Sequence, residues 1–330
     1  MSLLHRLPTI WYDGVPPPLW LRLLVPVYRG LRALHRLPYS LGWKKPQRLP
    51  VPVIVVGNVT VGGTGKTPLV IALVEALRVR GLKPGVISRG YGADTGTPQL
   101  LDASADAARV GDEPLLIHNA ADVPVAVGRD RVAAGRLLLA HRDCDVIVAD
   151  DGLQHYPLFR NVEICVIDGE RRFGNGLLLP AGPLREPLSR LATVDFRVCN
   201  GAQARPGEVQ MQLVGEAAVG VSDPAVSRAL RDFSGRRVHA VAGIGNPARF
   251  FATLRAAGVD VVEHAFADHH VFVARDLDFG DDLPVLMTQK DAVKCAAFAC
   301  ADFWCVPVRA ELPPDFFDGI AHKMAGEPVP

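Results

Sequence analysis

Residues 53–83, VIVVGNVTVGGTGKTPLVIALVEALRVRGLK, limit what the chain can fold into more than any other stretch. A β-branched run at 53–56 is short enough for a buried strand. Beyond Pro68, the residues Leu69, Ile71, Leu73, Val74 and Leu77 supply an apolar helical face. Proline suits a helix's first turn, where its missing N–H would be unpaired anyway. Between strand and helix, Gly62, Gly63 and Gly65 let the main chain curl. The N–H groups around them and Thr64 then converge at a helix N-terminus whose dipole favours an anion. Lys66 is placed to reach β- and γ-phosphate oxygens, and Thr67 offers a hydroxyl to the magnesium that accompanies them. The pattern G-x-x-x-x-G-K-[ST] expects glycine at position 60, where this chain has Thr60. A merely flexible glycine turn would need neither the strand in front nor the helix behind.

With 49% hydrophobic and 22% charged residues among 330, the chain can build a large core in about two domains and is not disordered. Its net charge of +1 is unevenly spread. Residues 1–50 carry Arg6, Arg22, Arg29, Arg32, Arg36, Lys44, Lys45 and Arg48 against Asp13 alone. A basic head on a mildly acidic body points to an anionic surface as partner rather than to nucleic acid. Along residues 19–37, Trp20, Leu23, Leu24, Val27, Leu31 and Leu34 share one helical face, and Arg22, Arg29, Arg32 and Arg36 share another. Two readings fit: a helix lying in a membrane interface, or a surface helix packing Leu23, Leu31 and Leu34 onto the body. Pro26 allows two shorter pieces in place of one helix. The cysteines at 144, 165, 199, 295, 300 and 305 include no C-x-x-C, which fits buried thiols in a reducing compartment. Neither a cleavable signal nor an uncharged apolar run of about 20 residues is expected.

From residue 84 strands and helices alternate, with strands at 85–88, 123–127, 146–149 and 162–167 and helices at 113–119 and 130–140. The pattern predicts an α/β fold, a P-loop NTPase-like parallel sheet with helices on both faces. Periodicity lapses over 222–235, so residues 1–222 are expected to form this domain, headed by an amphipathic segment of about 45 residues. Residues 223–330 are expected to form a smaller C-terminal α/β domain. Its strands are predicted at 238–241, 259–262 and 284–287, and its helices at 247–256 and 288–297.

Ligands in such sheets sit at the carboxyl ends of strands. Asp150 and Asp151 close the run VIVADD there, where an aspartate completes a magnesium shell, although Asp-Asp-Gly also reads as a turn. Asp112 in Gly111-Asp112-Glu113-Pro114 reads as a helix N-cap. Gly128-Arg129-Asp130-Arg131 follows a strand, Gln154 and His155 follow the aspartates, and Arg185-Glu186 ends a long Gly/Pro-rich loop, GNGLLLPAGPLREP. His269 and His270 in FADHHVF are the most chemical residues of the second unit.

These residues together resemble the tetraacyldisaccharide 4'-kinase family. The resemblance runs through GNVTVGGTGKTP, SRGYG at 88–92, GDEP, GRDR, DDGLQH at 150–155, FGNG, PAGPLREP, AGIGNP at 242–247, DHH and TQKDAVK. It implies a kinase that moves the γ-phosphate of ATP to the 4'-hydroxyl of a tetraacylated glucosamine disaccharide 1-phosphate, forming lipid IVA in lipid A biosynthesis. It also implies a peripheral or monotopic place on the cytoplasmic face of the bacterial inner membrane, which favours the interfacial reading of the N-terminal helix. By the same resemblance Gly62, Gly63, Thr64, Gly65 and Lys66 bind ATP, with Lys290 and Asp291 near the nucleotide. Thr67 with Asp150 or Asp151, aided by Glu113, holds Mg2+. Asp112 is the general base, paired with His269 over His270 on motif position. Arg131 and His155 line the transfer site, while Arg185, Glu186 and Asn175 meet the lipid headgroup. Gln289 stands where the family pattern has glutamate.

Two rival classes share parts of these motifs. A partitioning-type ATPase carries a signature lysine just before the loop, where this chain has Val61. A membrane-docked nucleotide switch would use Thr288-Gln289-Lys290-Asp291 as its base-recognition loop.

Overall fold

The computed structural model describes residues 3–90, 96–102 and 104–326, and of residues 3–6 only the backbone. Tyr91 and Gly92 of the SRGYG stretch lie outside them. The chain opens with α1 (Leu3–Tyr12) and α2 (Leu19–Ser40), then β1 (Val53–Gly57), α3 (Lys66–Val79), β2 (Pro84–Ser88) and β3 (Gln99–Leu100). It continues with α4 (Ala107–Val110), α5 (Asp112–Ala121), β4 (Val125–Val127), α6 (Arg131–His141), β5 (Val146–Asp150), β6 (Val162–Asp168), β7 (Phe196–Asn200) and β8 (Val209–Val214). The second half adds β9 (Ala217–Gly220), β10 (Ser227–Ala229), β11 (Arg237–Ala242), α7 (Pro247–Ala256) and β12 (Asp260–Ala265). It ends with β13 (Val285–Thr288), α8 (Gln289–Cys295), β14 (Phe303–Val306), β15 (Arg309–Glu311) and α9 (Pro314–Ala325).

Two sheets result. The first has the order β15-β8-β7-β6-β1-β5-β2-β4-β3 and the second β10-β9-β14-β13-β11-β12. In the first, β1 lies between β5 and β6, parallel to both. Its β-branched run is unbroken because both faces are covered. Ile54 and Val56 pack with Leu69 and Leu73 of α3 on one side, while Val53 and Val55 pack with Leu138 of α6 and Leu153 on the other. Each such side chain, fully withdrawn from water, contributes about 1.5–3 kcal/mol. The second sheet is covered in the same way by Phe250, Phe251 and Leu254 of α7 on one face and by Ala292 and Cys295 of α8 on the other.

Sheet membership divides the chain differently from the expected boundary at 222. β9 already belongs to the second sheet, and the chain's end returns to the first, where β15 pairs antiparallel with β8. α9 follows it, with Phe316 edge-on to Phe196 of β7 at a centroid distance of 5.4 Å. Neither β15 nor β9 carries an apolar run long enough to declare a strand, and a return across the whole chain leaves no local signal.

The N-terminal helices dock beside the carboxyl ends of the first sheet. α2 is one continuous helix through Pro26, which is exposed, so the carbonyl it cannot bond is open to solvent. The helix rests on neither of the faces that its sequence displays. Leu21, Val25, Tyr28, Arg32, His35 and Tyr39, spaced four and three apart, form a third face between them that turns inward. Leu21 packs with Ile10, Trp11 and Ala181. The Tyr28 hydroxyl donates to the Arg185 carbonyl at 3.0 Å, and Arg32 pairs with Glu186 at 3.5 Å. The rings of His35 and Tyr39 lie 5.6 and 6.1 Å from that of Tyr156. Leu23, Leu31 and Leu34 are 64%, 64% and 67% exposed, which excludes their packing onto the body. Among the described residues no helix is long and apolar enough to cross a membrane.

The two sheets meet through main chain. The loop between β11 and α7 lays Gly245 against the glycine loop after β1, so closely that a Cβ on Gly245 would stand 2.2 Å from the amide nitrogen of Gly63. The atom it would strike is backbone and cannot swing aside. Gly245→Ala is therefore expected to cost about 1–3 kcal/mol of stability, read as a lower denaturant midpoint with an unchanged slope.

Candidate active site

The glycine loop is held from three sides. Asn58 Nδ2 donates to the Gly62 carbonyl at 3.4 Å and to Thr64 Oγ1 at 3.3 Å, and Asn200 Nδ2 donates to the Thr64 carbonyl at 2.9 Å. Gly62 and Gly65 have φ of 103° and 93°, and a Cβ on Gly65 would lie 2.3 Å from Asn200 Nδ2, so both require glycine. Thr60 lies outside the left-handed region. It forms an antiparallel bridge with Leu184, while Val61 N–H donates to the Pro183 carbonyl and Arg185 N–H to the Val59 carbonyl. The long loop of residues 169–187 thus backs the glycine loop with an added strand-like contact. A β-branched residue fits position 60 for that reason.

Lys66 opens α3, and its ammonium lies 3.7 Å from Asp151. Arg185 Nη1 is 3.1 Å from both Asp151 oxygens and 3.2 Å from Asn58 Oδ1. Burial disfavours the Asp151 carboxylate, but Lys66 and Arg185 outweigh it and pull its pKa down to about 2. Asp150 is in a different state. The ladder pairs it with Val56, at the carboxyl end of β1. It is fully buried, accepts one bond from Ser88 Oγ at 3.3 Å, and its Oδ1 has no hydrogen-bond partner. Burial, with Glu113 close by, pushes its pKa well up. A buried carboxylate oxygen without a donor, beside a second carboxylate, suits a hard cation. Thr67 and Glu113 line the same ≈300 Å³ cavity as the glycine loop. Among the described residues no group of three or more His, Cys, Asp or Glu is arranged for a metal. The side chains can therefore supply only part of a shell, as magnesium on a phosphate chain requires. Of the two aspartates, the free oxygen belongs to Asp150, whereas Asp151 is occupied by cations.

Across the cleft, Asp112 starts α5 and is buried, with His269 Nδ1 3.2 Å from both of its oxygens. Lys290 and Lys294 lie 3.7 and 3.9 Å away. Burial disfavours ionised Asp112, but His269 and the two lysines prevail and hold its pKa below the usual value. His269 sits at φ 60°, and the bond to Asp112 raises its pKa against the effect of burial. His270 turns the other way, to Asp276 at 3.0 Å.

Other expected site residues are distributed unevenly. Arg131 is buried and donates to the Asp151 carbonyl at 3.0 Å, while its Nε has no partner. His155 lines a ≈540 Å³ concavity with Tyr39, Lys44, Lys45 and Arg129, and its Nε2 is buried without a partner. Glu186 is not open to a headgroup: fully buried, it takes the Tyr156 hydroxyl, Gln154 Nε2 at 3.2 Å, and the cations of Arg32 and Arg190. Asn175 is likewise structural, donating to the carbonyls of Ile10 and Ala181 and so fixing the end of α1. Asp291 is fully buried and accepts from Gly243 N–H at 2.9 Å and Thr288 Oγ1 at 2.6 Å. It shapes the loop that carries Gly245 and offers nothing to a base, which removes the base-recognition loop from the switch reading. The apolar side of the cavity comes from Ile71 of the expected helical face and from residues that the sequence did not single out: Leu213, Phe250, Val306 and Val308. AGIGNP marked the neighbouring loop, but Val306 at the end of β14 and Val308 just beyond it carry no signal of their own.

An amide loop on the central strand and a carboxylate on the next strand handle a triphosphate tail. Beside it, linked through Lys290, lies a carboxylate–imidazole pair of the kind that can accept a hydroxyl proton. Such a combination defines a P-loop kinase. Comparison narrows the class. Residues 18–325 match the family described as tetraacyldisaccharide-1-P 4'-kinase, LpxK. A tetraacyldisaccharide 4'-kinase of Stenotrophomonas maltophilia (strain R551-3) is 54% identical over 327 residues, covering 96% of each chain. One of Xanthomonas euvesicatoria pv. vesicatoria (strain 85-10) is 52% identical, covering 97% of this chain and 96% of its own. The solved structure of LpxK from Aquifex aeolicus, described as an apo form in complex with ATP, superposes with a TM-score of 0.74 at 26% identity over 91% of this chain and 97% of its own. The chain belongs to the tetraacyldisaccharide 4'-kinase family.

Burial, and then the charge of Arg131, lower the His155 pKa from 6.5 to about 4, so the folded protein holds this imidazole neutral. Its contribution to stability is present above about pH 6.5 and is lost as pH falls toward 4. His155→Gln should therefore flatten the fall in Tm between pH 7 and pH 4.5, measured by thermal unfolding.

Proposed function

We propose that the chain transfers the γ-phosphate of ATP to the 4'-hydroxyl of a tetraacylated glucosamine disaccharide 1-phosphate, with Mg2+, at a membrane surface. The observation that carries this reading is the Asp112–His269 pair, which joins the two halves of the fold and is linked to the glycine-loop cavity through Lys290, a residue that lines that cavity and lies 3.7 Å from Asp112 and 3.4 Å from His269. A protein that only binds or hydrolyses nucleotide needs no hydroxyl-facing base of this kind.

Lys66 and the amides of residues 62–65 neutralise the phosphate chain, which is where most of the rate in phosphoryl transfer arises. Asp150, Thr67 and Glu113 would hold the magnesium, which supplies further neutralisation of the same oxygens. Asp112 accepts the proton of the attacking hydroxyl. His269 orients the carboxylate and shares that proton, a contribution of ~10²–10⁴-fold, or about 3–5 kcal/mol of barrier. Arg131, with an unpartnered Nε, and Arg185, tied to Asp151, line the approach. The loop of residues 243–246 over Gly63 excludes water that would otherwise hydrolyse ATP.

The acceptor is a lipid, and α2 presents six exposed apolar residues on one face: Trp20, Leu23, Leu24, Val27, Leu31 and Leu34. Trp43, 73% exposed, follows beside Lys44 and Lys45. Greasy and cationic faces flanking a docked one describe a helix lying in the interface of the cytoplasmic leaflet.

The deciding assay is transfer of labelled γ-phosphate from ATP to the tetraacylated disaccharide 1-phosphate. Asp112→Ala is expected to lower kcat by ~10²-fold or more with ATP binding retained, and near-parental turnover removes it as the base. Changing Leu23, Leu31 and Leu34 together to Ser should leave Tm within about 1 kcal/mol of stability while abolishing flotation with anionic vesicles. Flotation at the parental level contradicts the interfacial helix.

A further inference from the structure

Lys290 was expected beside the nucleotide, and it does line the glycine-loop cavity. Its ammonium, however, is engaged elsewhere. Nζ lies 3.1 Å from Glu113 Oε1, 3.1 Å from Asp268 Oδ1, 3.7 Å from Asp112 Oδ2 and 3.4 Å from His269 Nε2. These partners come from both sides of the cleft: α5 of the first sheet carries Asp112 and Glu113, and the turn after β12 of the second carries Asp268 and His269.

We propose that Lys290 is a positioning residue of phosphoryl transfer, holding the base, the second acidic residue of α5 and the histidine turn in one arrangement across the cleft. The inference rests on the kinase reading above. Three carboxylates, Asp112, Glu113 and Asp268, converge on the one ammonium, and without a cation among them their repulsion would drive the two sides apart. An ammonium has three N–H donors and no acceptor. In the neutral imidazole, the His269 nitrogen facing Lys290 must therefore be the acceptor, which leaves the proton on Nδ1, 3.2 Å from Asp112. Lys290 thus selects the tautomer that addresses the base.

The junction of β13 and α8 delivers it rigidly. Thr288 caps α8 by accepting from Asp291 N–H, and fully buried Asp291 ties the same turn to Gly243. Lys294, one turn on, is held by Asp291 at 2.8 Å and backs Asp112 from the far side at 3.9 Å. Buried ion clusters of this kind are poor devices for stability, because desolvation offsets the attraction. Their value lies in the geometry that they fix.

The test uses the full chain with ATP, Mg2+ and tetraacylated disaccharide 1-phosphate. Lys290→Ala and Lys290→Gln, the second keeping volume and a donor, are both expected to lose ~10- to 100-fold in kcat while KM for ATP stays within about twofold. Lys290→Arg, which restores the charge, should recover part of that loss. Combined with His269→Ala, the loss should be smaller than the product of the single losses, since both act through Asp112. Parental kcat in both charge-removing variants overturns the proposal, as does a loss carried by KM for ATP or one that multiplies fully with that of His269→Ala. A parent protein that transfers no phosphate overturns the kinase reading and this proposal with it.

Discussion

Everything at the cleft depends on a place where two stretches of main chain touch without side chains between them. Gly63 of the phosphate loop and Gly245 of the second sheet's loop approach so closely that Gly245 tolerates no Cβ without displacement. Because this contact is backbone on backbone, it fixes the distance between the sheets more firmly than a side-chain interface would. It is reinforced nearby, where Arg171 donates to the carbonyl of Gly245 and to Asn246 Oδ1, and where Arg249 pairs with Asp168 at 2.9 Å. The triphosphate end of the cavity and the hydroxyl end are thereby set relative to each other before any ligand arrives, which is the preorganisation that phosphoryl transfer needs.

Charge at the cleft is partitioned between neighbours. Asp150 and Asp151 are adjacent in sequence, yet one has a single hydroxyl donor and is pushed toward protonation by burial while the other is clasped by two cations and held ionised. The left-handed turn at Asp151, φ 47°, sends the two side chains to different environments. The first keeps one oxygen without a hydrogen-bond partner, and the second anchors Lys66 and Arg185. A chain of contacts then leads outward from Asp151 through Arg185 to Tyr28 of α2, and from Glu186 to Arg32. The helix with the greasy face is thus built into the wall of the site.

The central strands of the first sheet were legible because a strand buried on both faces reads as a nearly continuous apolar run, unbroken at 53–56 and 146–149 and interrupted only by Glu163 at 162–167. The helix that follows Gly65 was legible from its turn chemistry and apolar spacing. Short strands such as β9, β10 and β15 were not, since three or four mixed residues carry no period. Within the site, Lys66, Thr67 and Asp150 stood out because their chemistry and their place at a helix start or strand end coincide, whereas Asp112 read locally as a helix cap and took its expected role as base from the family resemblance. Glu186, Asn175 and Asp291 stood out by motif as well, but their roles are to hold loops. A conserved-looking polar residue and a structural hydrogen-bond hub look alike in one dimension.

The sequence by itself determined the phosphate loop, the parallel sheet around it and the two faces of α2, because each follows from local spacing and local turn geometry. Only the tertiary structure decided that His269 rather than His270 meets Asp112, that Asp150 rather than Asp151 keeps an open oxygen, and that α2 docks on the face between its apolar and basic ones. The last strand's return to the first sheet belongs with these. All four are choices between sequence neighbours or between distant segments. They are settled by which groups the fold brings together from distant parts of the chain, and that information has no local signature.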